Sequence, residues 1–315
     1  MKATSRFEFK LSAGQQVKAT NLTLENLEWL GRGGNGAVFR MMVASGLWKG
    51  LIVAVKFLER LEEKSRVDRF KQEFEILQKV DHPHVIKVFD TGEYLGRSGA
   101  PLPFYVMEYQ PRNLQREIST HPKGFHPDSV LPLCLQVASA LAYLHSRQIG
   151  HRDRKPSNIL FDGSNVKIAD FGIAFLAGVS GLHAVPTPEG EKLAPHYYMS
   201  PEQWAWWKKE SSEPPGHPSD VFQFGLIAYQ MLTGFNLNTV WQWERSKERV
   251  FPGQRIKSCQ GSLLNDVAGI VREMVAEDPK QRPIADVVQD RLLNVFRSYS
   301  SHYTALYGVR PGREF

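Results

Sequence analysis

Cysteine is scarce in this sequence, with Cys134 and Cys259 as the only two among 315 residues. They stand far apart, so the chain lacks both the paired cysteines of a disulfide framework and the close spacing of a zinc site. Cys134 lies in an apolar, helix-like pattern, where a buried thiol is the ordinary interpretation. We therefore expect neither disulfides nor a structural zinc ion.

Long apolar runs are also missing. Residues 1–8 mix charged and apolar side chains instead of forming a secretion signal, and no later run is long and uninterrupted enough to cross a bilayer. Repeats and low-complexity tracts are absent as well. A hydrophobic share of 42% is nevertheless enough for a sizeable core. We expect a soluble, cytoplasmic protein without a membrane segment.

Charged residues are dispersed along the chain. The net charge is +6, but the lysines and arginines form no long basic run. The recognised nucleic-acid-binding motifs are missing too, so we expect no nucleic-acid partner. A small basic excess also suits an enzyme that handles polyphosphate.

The most informative stretch is the polar loop His151–Asn158, which precedes a short apolar run. Asp153 can accept a proton from a hydroxyl, Lys155 can offset charge on a transferring phosphate, and Asn158 can offer an oxygen to magnesium. Together these groups form a phosphoryl-transfer layout. The alternative is an ordinary solvated loop, and the choice depends on whether the rest of such a site lies elsewhere in the chain.

A glycine-rich stretch lies near the N-terminus. Gly31, Gly33 and Gly36 separate two apolar segments, which predicts two strands joined by a turn. Without side chains, the backbone amides of such a turn can approach phosphate oxygens closely. Taken alone, the pattern also fits a plain hairpin turn.

Lys56 lies within the apolar strand predicted over Leu51–Leu58. A lysine in such a position needs a counter-charge. The following helix, predicted over Arg66–Val80 from its apolar spacing, offers Glu73 and Glu75. A solvated helix face is the alternative role for either glutamate.

Asp170-Phe171-Gly172 follows another short predicted strand, Asn165–Ala169. In this order, the stretches resemble the motifs of the Hanks-type serine/threonine protein kinases, including H-R-D-x-K-P-x-N at residues 151–158. The resemblance covers about residues 27–295. It implies an α+β, two-lobed fold with a small five-stranded antiparallel β lobe, one main helix in that lobe, and a larger, mainly helical lobe.

The resemblance also implies a domain division. Residues 27–108 would form the N-lobe and residues 109–298 the C-lobe. Residues 1–26 would be an N-terminal extension or an added strand, and residues 299–315 a C-terminal tail.

A protein kinase of this type would use ATP and Mg²⁺ to phosphorylate Ser/Thr hydroxyls of proteins, its own included. Asp153 would orient the hydroxyl and accept its proton, while Lys155 would steady the γ-phosphate. Lys56 would align the nucleotide, paired with Glu73 in the family register or with Glu75 as the fallback. Asn158 and Asp170 would bind the metal. The nucleotide would contact Gly31, Gly33, Gly36, Val38, Ala54, Lys56, Met107, Glu108, Tyr109 and Leu160.

Two other functions remain open from the sequence. A kinase-fold scaffold is disfavoured because the chain keeps Lys56, Asp153, Asn158 and Asp170. A small-molecule phosphotransferase is disfavoured by three residues that the resemblance assigns to structure. Glu202 would pair with Arg282, and Asp220 would brace the catalytic loop.

The segment between Asp170 and Glu202 departs from the family pattern. Pro195 stands where these kinases usually carry a threonine, and Tyr197 or Ser200 would take over part of that threonine's role. This weakens the hydroxyamino-acid preference that Lys155 implies.

The segment from Asp170 to Glu202 corresponds to the activation segment of these kinases. In this family, an arginine at the position of Arg152 commonly binds a phosphate group on that segment. We expect phosphorylation of Ser180 or Thr187 to supply it, with Glu189 or Glu191 as a built-in substitute. The aromatic stretch 204–207 is interpreted as packing beneath this segment, and a docking surface is the alternative.

Overall fold

The computed structural model describes residues 9–33, 36–59, 61, 64–95, 101–163, 165–171, 175–176, 198–234 and 262–307. The chain divides into two compact units. The first unit comprises Met1–Asp81 and Ile86–Gln110, and the second comprises His82–Val85 and Pro111–Phe315. Strands predominate in the first unit and helices in the second, which confirms the predicted α+β class. The predicted domain boundaries stay a prediction.

Antiparallel pairing joins six strands of the first unit in the order β1-β2-β3-β4-β6-β5. The elements of this unit are β1 Gln16–Lys18, β2 Thr23–Gly33, β3 Gly36–Val43, β4 Ile52–Phe57, α1 Lys64–Gln78, β5 Val88–Leu95 and β6 Pro101–Glu108. Strand β5 begins at Val88 and does not include Val85. Val85 instead forms an isolated parallel bridge with Ile168 within the second unit.

The sheet has six strands and not the five that the resemblance implied, because the N-terminal extension supplies β1. Leu11 and Val17 of this extension are buried in the sheet's core. The Phe9 ring lies 4.9 Å from the Phe57 ring, between centroids. The Asp90 carboxylate on β5 accepts hydrogen bonds from the backbone amides of residues 21 and 22 at 2.7 and 3.0 Å. Apolar burial and these bonds together hold the added strand.

Helix α1 packs on the sheet through an apolar stripe at helical spacing. Phe70, Ile76 and Leu77 are buried, while Lys71 and Glu75 are exposed. The helix begins at residue 64, slightly before the predicted start at residue 66. Glu73 falls on the buried face of this helix, which separates it from Glu75.

The second unit is built around helices. Its elements are β7 Arg112–Asn113, α2 Leu114–Thr120, α3 Pro127–Ser146, β8 Ile149–Gly150, β9 Ile159–Asp162, β10 Asn165–Ile168, β11 Phe175–Leu176, α4 Pro201–Trp207, α5 His217–Thr233, α6 Ser262–Met274 and α7 Ala285–Tyr307. Helix α5 forms the centre, since every residue from Ser219 to Leu232 is buried. Helix α3 packs against α5 and α7.

Within α3, the segment Ser129–Ser146 is long and apolar enough to cross a membrane. Inside the fold, 61% of this segment is buried, as in the core helix of a globular unit. Length and composition are shared by core helices and membrane spans. The expected absence of a membrane segment therefore stays a prediction.

Two small sheets frame the polar loop 151–158. Strands β7, β9 and β10 form one sheet, and β8 pairs with β11 in the other. The loop leaves β8 and enters β9, so both of its ends are held by strand pairing. Asp170 follows the end of β10 closely, after Ala169.

Candidate active site

In the first unit, Lys56 and Glu73 form a buried ion pair. Lys56 Nζ lies 2.8 Å from Glu73 Oε1 and 2.9 Å from Oε2. The two side chains are 8% and 0% exposed, so each charge depends on the other for compensation. The structure thus contains the predicted pair and selects Glu73 over the exposed Glu75.

The glycine-rich turn joins β2 to β3. Gly31 and Gly33 end β2 and Gly36 opens β3, while residues 34–35 lie outside the described part of the chain. Gly36 has a φ of +150°, and a Cβ atom there would lie 1.7 Å from the carbonyl oxygen of Phe57. No other residue type fits this position. Leu30, which the sequence reasoning did not single out, adds an exposed apolar side chain next to Gly31.

The predicted adenine-contacting residues of the first unit lie on neighbouring strands. Ala54 on β4 stands opposite Met107 on β6, and Val38 on β3 stands opposite Lys56. The backbone amide of Glu108 donates to the Lys87 carbonyl at 2.8 Å, so this N–H already has an acceptor in the first unit. The Tyr109 ring centroid lies 5.4 Å from the Arg40 guanidinium carbon. Leu160, the remaining predicted contact, lies on β9 of the second unit and is half-buried.

In the second unit, the Asp220 carboxylate holds the backbone of the polar loop 151–158. It accepts the amide of His151 at 2.9 Å and that of Arg152 at 2.8 Å, as predicted. His145 Nε2 lies 3.0 Å from the same carboxylate, and Arg154 Nε lies 3.6 Å away. Burial opposes ionisation, but Arg154 and His145 outweigh it and hold the pKa of Asp220 well below its usual range.

Arg152 has a left-handed backbone with a φ of 66°, which is costly for a residue with a side chain. Its carbonyl accepts hydrogen bonds from the side-chain amides of Gln203 at 2.8 Å and Gln223 at 3.0 Å. The Gln223 Oε1 atom also accepts from the Arg154 amide at 2.9 Å. Sequence reasoning missed both glutamines, which fix the loop from α4 and α5.

Asp153, Lys155 and Asn158 meet at the centre of the loop. Lys155 Nζ donates to Asp153 Oδ2 at 2.7 Å, and Asn158 Nδ2 donates to Asp153 Oδ2 at 3.3 Å and to its carbonyl at 2.8 Å. Burial raises the pKa of the Asp153 carboxyl, Lys155 opposes this, and the nearby Asp170 carboxylate raises it further. A raised pKa makes a carboxylate a better proton acceptor.

Asp170 and Asn158 are the predicted metal-binding residues. Asp170 is half-buried and has a left-handed φ of 65°, and Gly172 lies outside the described residues. Because Asn158 directs its Nδ2 group toward Asp153, its oxygen is the atom left for a ligand. A carboxylate and an amide oxygen are a suitable donor set for a hard cation such as magnesium.

His151 links the polar loop 151–158 to the segment that leads into Asp170. Sequence reasoning did not assign this role to His151. Its Nδ1 atom accepts from the Asp153 amide at 3.3 Å, so Nε2 donates to the Ala169 carbonyl at 3.0 Å. The Phe171 ring packs against it at 4.6 Å. Burial and the charge of Arg154 lower the pKa of His151 to about 4, so the ring is neutral at physiological pH.

The predicted Glu202–Arg282 pair is present. Arg282 Nη1 and Nη2 donate to Glu202 at 2.6 and 2.9 Å, and the Ser219 hydroxyl adds a third bond at 2.6 Å. Burial opposes ionisation, but these bonds lower the pKa of Glu202. The Ser200 hydroxyl caps α4 by accepting from the Gln203 amide and donates to Ser219 at 3.0 Å. The Ser200 hydroxyl thus serves this cap, and its suggested part in the role of the missing threonine stays a prediction.

Several predicted residues of the activation segment, Ser180, Thr187, Glu189, Glu191, Pro195 and Tyr197, lie outside the described residues. Arg152 Nε donates to the Pro215 carbonyl at 2.8 Å. In the aromatic stretch, Trp204 packs on Trp207 at 5.0 Å, and Trp207 remains 39% exposed.

Comparison with known proteins agrees with this geometry. The family described as Protein kinase domain matches residues 24–292. Serine/threonine-protein kinase PknB of Mycobacterium tuberculosis is 34% identical over 260 residues, covering 79% of this chain and 39% of PknB. Serine/threonine-protein kinase PrkC of Bacillus subtilis is 30% identical over 204 residues, covering 64% of this chain and 29% of PrkC. The chain thus spans well under half the length of either relative. With its motifs in family order and the match extending over most of its length, the chain belongs to the Hanks-type protein kinase domain family.

Proposed function

We propose that the chain is an ATP-dependent protein kinase that phosphorylates Ser/Thr hydroxyls of proteins, its own included. The arrangement around Asp153 carries this proposal. Lys155 and Asn158 both bond to Oδ2, and among the described residues no donor reaches Oδ1. A fixed carboxylate with one available oxygen can orient an incoming hydroxyl and accept its proton, a role worth about 10²–10⁴-fold in rate.

ATP and Mg²⁺ are the proposed cofactors. Asn158 and Asp170 would hold the metal, which neutralises phosphate charge when bound. Lys56, held by Glu73, would bind the α- and β-phosphates, and Lys155 would steady the γ-phosphate. The backbone at Gly31, Gly33 and Gly36 would cover the phosphates. The proposed adenine contacts are Val38, Ala54, Met107, Glu108, Tyr109 and Leu160.

The acceptor preference is the finer part of the proposal. Lys155 favours Ser/Thr acceptors, and so do the names of the two relatives, whereas Pro195 replaces the usual threonine. Ser180 and Thr187 are the proposed autophosphorylation sites. If phosphate on either residue activates the enzyme, complete dephosphorylation should reduce its rate, and an unchanged rate would reject this part. Use of ATP also supports a cytoplasmic location.

The proposal is tested with radiolabelled ATP and Mg²⁺ on three acceptors: the chain itself, a generic protein mixture and a panel of small alcohols. We expect label on protein Ser/Thr residues. Label only on small alcohols would indicate a small-molecule phosphotransferase, and nucleotide binding without transfer would indicate a scaffold.

Asp153→Ala should keep nucleotide affinity and lose transfer, because it removes the proton acceptor and leaves Lys56 and the glycine turn intact. Its affinity is measured by calorimetry with MgATP, and its transfer rate in the same radiolabel assay. Transfer at the original rate would contradict the role given to Asp153.

A further inference from the structure

We propose that Tyr105 is a positioning residue that holds Glu73 in the orientation needed to pair with Lys56. This inference rests on the proposed function, since it concerns how the ATP-binding lysine is aligned. The Tyr105 hydroxyl donates to Glu73 Oε1 at 2.9 Å, and the residue is 1% exposed. Glu73 therefore accepts bonds from both Lys56 and Tyr105.

The sheet register places Tyr105 where it can do this. Tyr105 on β6 stands directly opposite Lys56 on β4, so the two side chains point to the same face of the sheet. Lys56 Nζ lies 5.7 Å from the centroid of the Tyr105 ring. Helix α1 packs on this face and brings Glu73 to both groups.

The Tyr105 ring is itself fixed by helix α1. Its centroid lies 5.1 Å from that of Phe70 and 6.0 Å from that of Phe74, which flank Glu73 in the helix. A ring held on two sides presents its hydroxyl in one place, so little side-chain entropy is lost when the bond forms. The bond therefore sets both the position of α1 along the strand and the orientation of the Glu73 carboxylate.

The Tyr105 hydroxyl has a distinct effect from the ion pair. A carboxylate that bonds only to a lysine can move together with that flexible side chain. A bond from the hydroxyl of a tyrosine on a strand instead fixes one carboxylate oxygen relative to the sheet. Hydrogen bonds to charged groups are also the stronger ones. Lys56 would then meet a counter-charge already in place, and its ammonium group would be presented to the nucleotide in one orientation.

Tyr105→Phe removes one oxygen and keeps the ring contacts with Phe70 and Phe74. We expect its Kd for MgATP to rise about five- to ten-fold, with the KM for the protein acceptor unchanged. In a Glu73→Ala background, the same substitution should have no further effect on ATP affinity, because the acceptor of the hydroxyl is gone. Wild-type ATP affinity for Tyr105→Phe, or the same loss in both backgrounds, would overturn the proposal.

Tyr94→Phe is the matched control. Tyr94 lies on β5 of the same sheet, and its hydroxyl accepts a bond from Gln15 Nε2 at 2.5 Å. Removing this hydroxyl costs one hydrogen bond away from Lys56 and Glu73, so ATP affinity should remain at the wild-type value. A similar affinity loss for Tyr94→Phe would show that any lost hydroxyl of this sheet has the same effect, which overturns the specific role of Tyr105.

Unfolding by denaturant separates a failure of this inference from a failure of the proposed function. The shifts in unfolding midpoint for Tyr105→Phe and Glu73→Ala should be non-additive when combined, whether or not the chain transfers phosphate. Additive shifts overturn the bond between the two residues even in an active enzyme. An inactive wild-type chain overturns the proposed function, while the unfolding cycle still decides whether Tyr105 holds Glu73.

Discussion

Each of the two units contains a fully buried carboxylate, and the two do different work. Glu73 in the first unit bonds to side chains, the Lys56 ammonium and the Tyr105 hydroxyl. Asp220 in the second unit bonds to backbone, the amides of His151 and Arg152, and also contacts His145 and Arg154. Both side chains are 0% exposed, so burial alone does not distinguish them.

The difference lies in what each carboxylate holds in place. Glu73 orients one long side chain on a strand whose backbone is already fixed by sheet pairing. Asp220 fixes the loop that contains Arg152, whose backbone is left-handed. Residues 151–155 of this loop belong to no strand, so no strand pairing fixes their backbone. Loss of Glu73 should therefore reduce nucleotide binding more than folding stability, and loss of Asp220 should reduce stability strongly.

Asp220→Ala should give the largest loss of stability. It leaves two buried amides without their acceptor and the buried Arg154 guanidinium without its carboxylate. We expect a decrease of about 3–5 kcal/mol in the free energy of unfolding, measured by denaturant titration at neutral pH. Asp220→Asn, which keeps one acceptor oxygen, should lose less. Equal stability of wild type and Asp220→Ala would remove the basis of the comparison.

Glu73→Gln should have a smaller effect on stability and a larger one on ATP. The amide keeps a hydrogen-bond acceptor for Tyr105 but removes the charge that compensates Lys56. We expect the free energy of unfolding to fall by about 1–3 kcal/mol, while ATP affinity falls further than in Asp220→Asn. Denaturant titration and calorimetry with MgATP measure the two effects. A higher ATP affinity for Glu73→Gln than for Asp220→Asn would refute the difference that we infer between the two carboxylates.

His217→Phe should produce the smallest change, seen as a weaker pH dependence. The His217 ring stacks on His145 at 4.2 Å, next to Asp220. The pKa of His217 is lowered to about 4, mainly by burial and next by His145. Arg154 and Arg152 lower it further, and Asp220 opposes the shift. The unfolded chain therefore binds the extra proton first as pH falls below about 6.5, and the folded protein loses stability down to about pH 4.

Phenylalanine keeps an aromatic ring at position 217 but cannot bind a proton. Between about pH 7.5 and about pH 5, His217→Phe should thus lose less unfolding free energy than wild type. His151 remains in both proteins and contributes the same pH dependence to each, which makes the comparison a matched one. Identical losses would mean that His217 is not held neutral by the fold.

Much of this site could be predicted because its motifs are contiguous. Asp153, Lys155 and Asn158 lie within one loop, so their meeting follows from short chain connections. The pairing of Glu73 with Lys56 was also predicted, because a buried lysine requires a partner of opposite sign. The pairing of Glu202 with Arg282 was implied by the family resemblance.

Residues that act through shape or amide groups were harder to find. In the sequence, Tyr105 is one more apolar position in a predicted strand. Gln223 is a polar residue in an apolar stretch, and the sequence does not indicate its hydrogen-bond partners. The sixth strand was left as an alternative to a plain extension for a similar reason. Phe9, Leu11 and Val17 are too widely spaced to show a strand period, and they gain their role only by covering the sheet.

The sequence by itself determined the order of the motifs and the chemical groups available for phosphoryl transfer, and through the family resemblance it also implied the class of fold. Apolar periodicity and charge are local properties of a chain, and they can be recognised without coordinates. Only the tertiary structure decided that a tyrosine from another strand holds Glu73 and that two glutamines fix Arg152. Such choices depend on register and on helix rotation, because the partners come together only when distant segments pack.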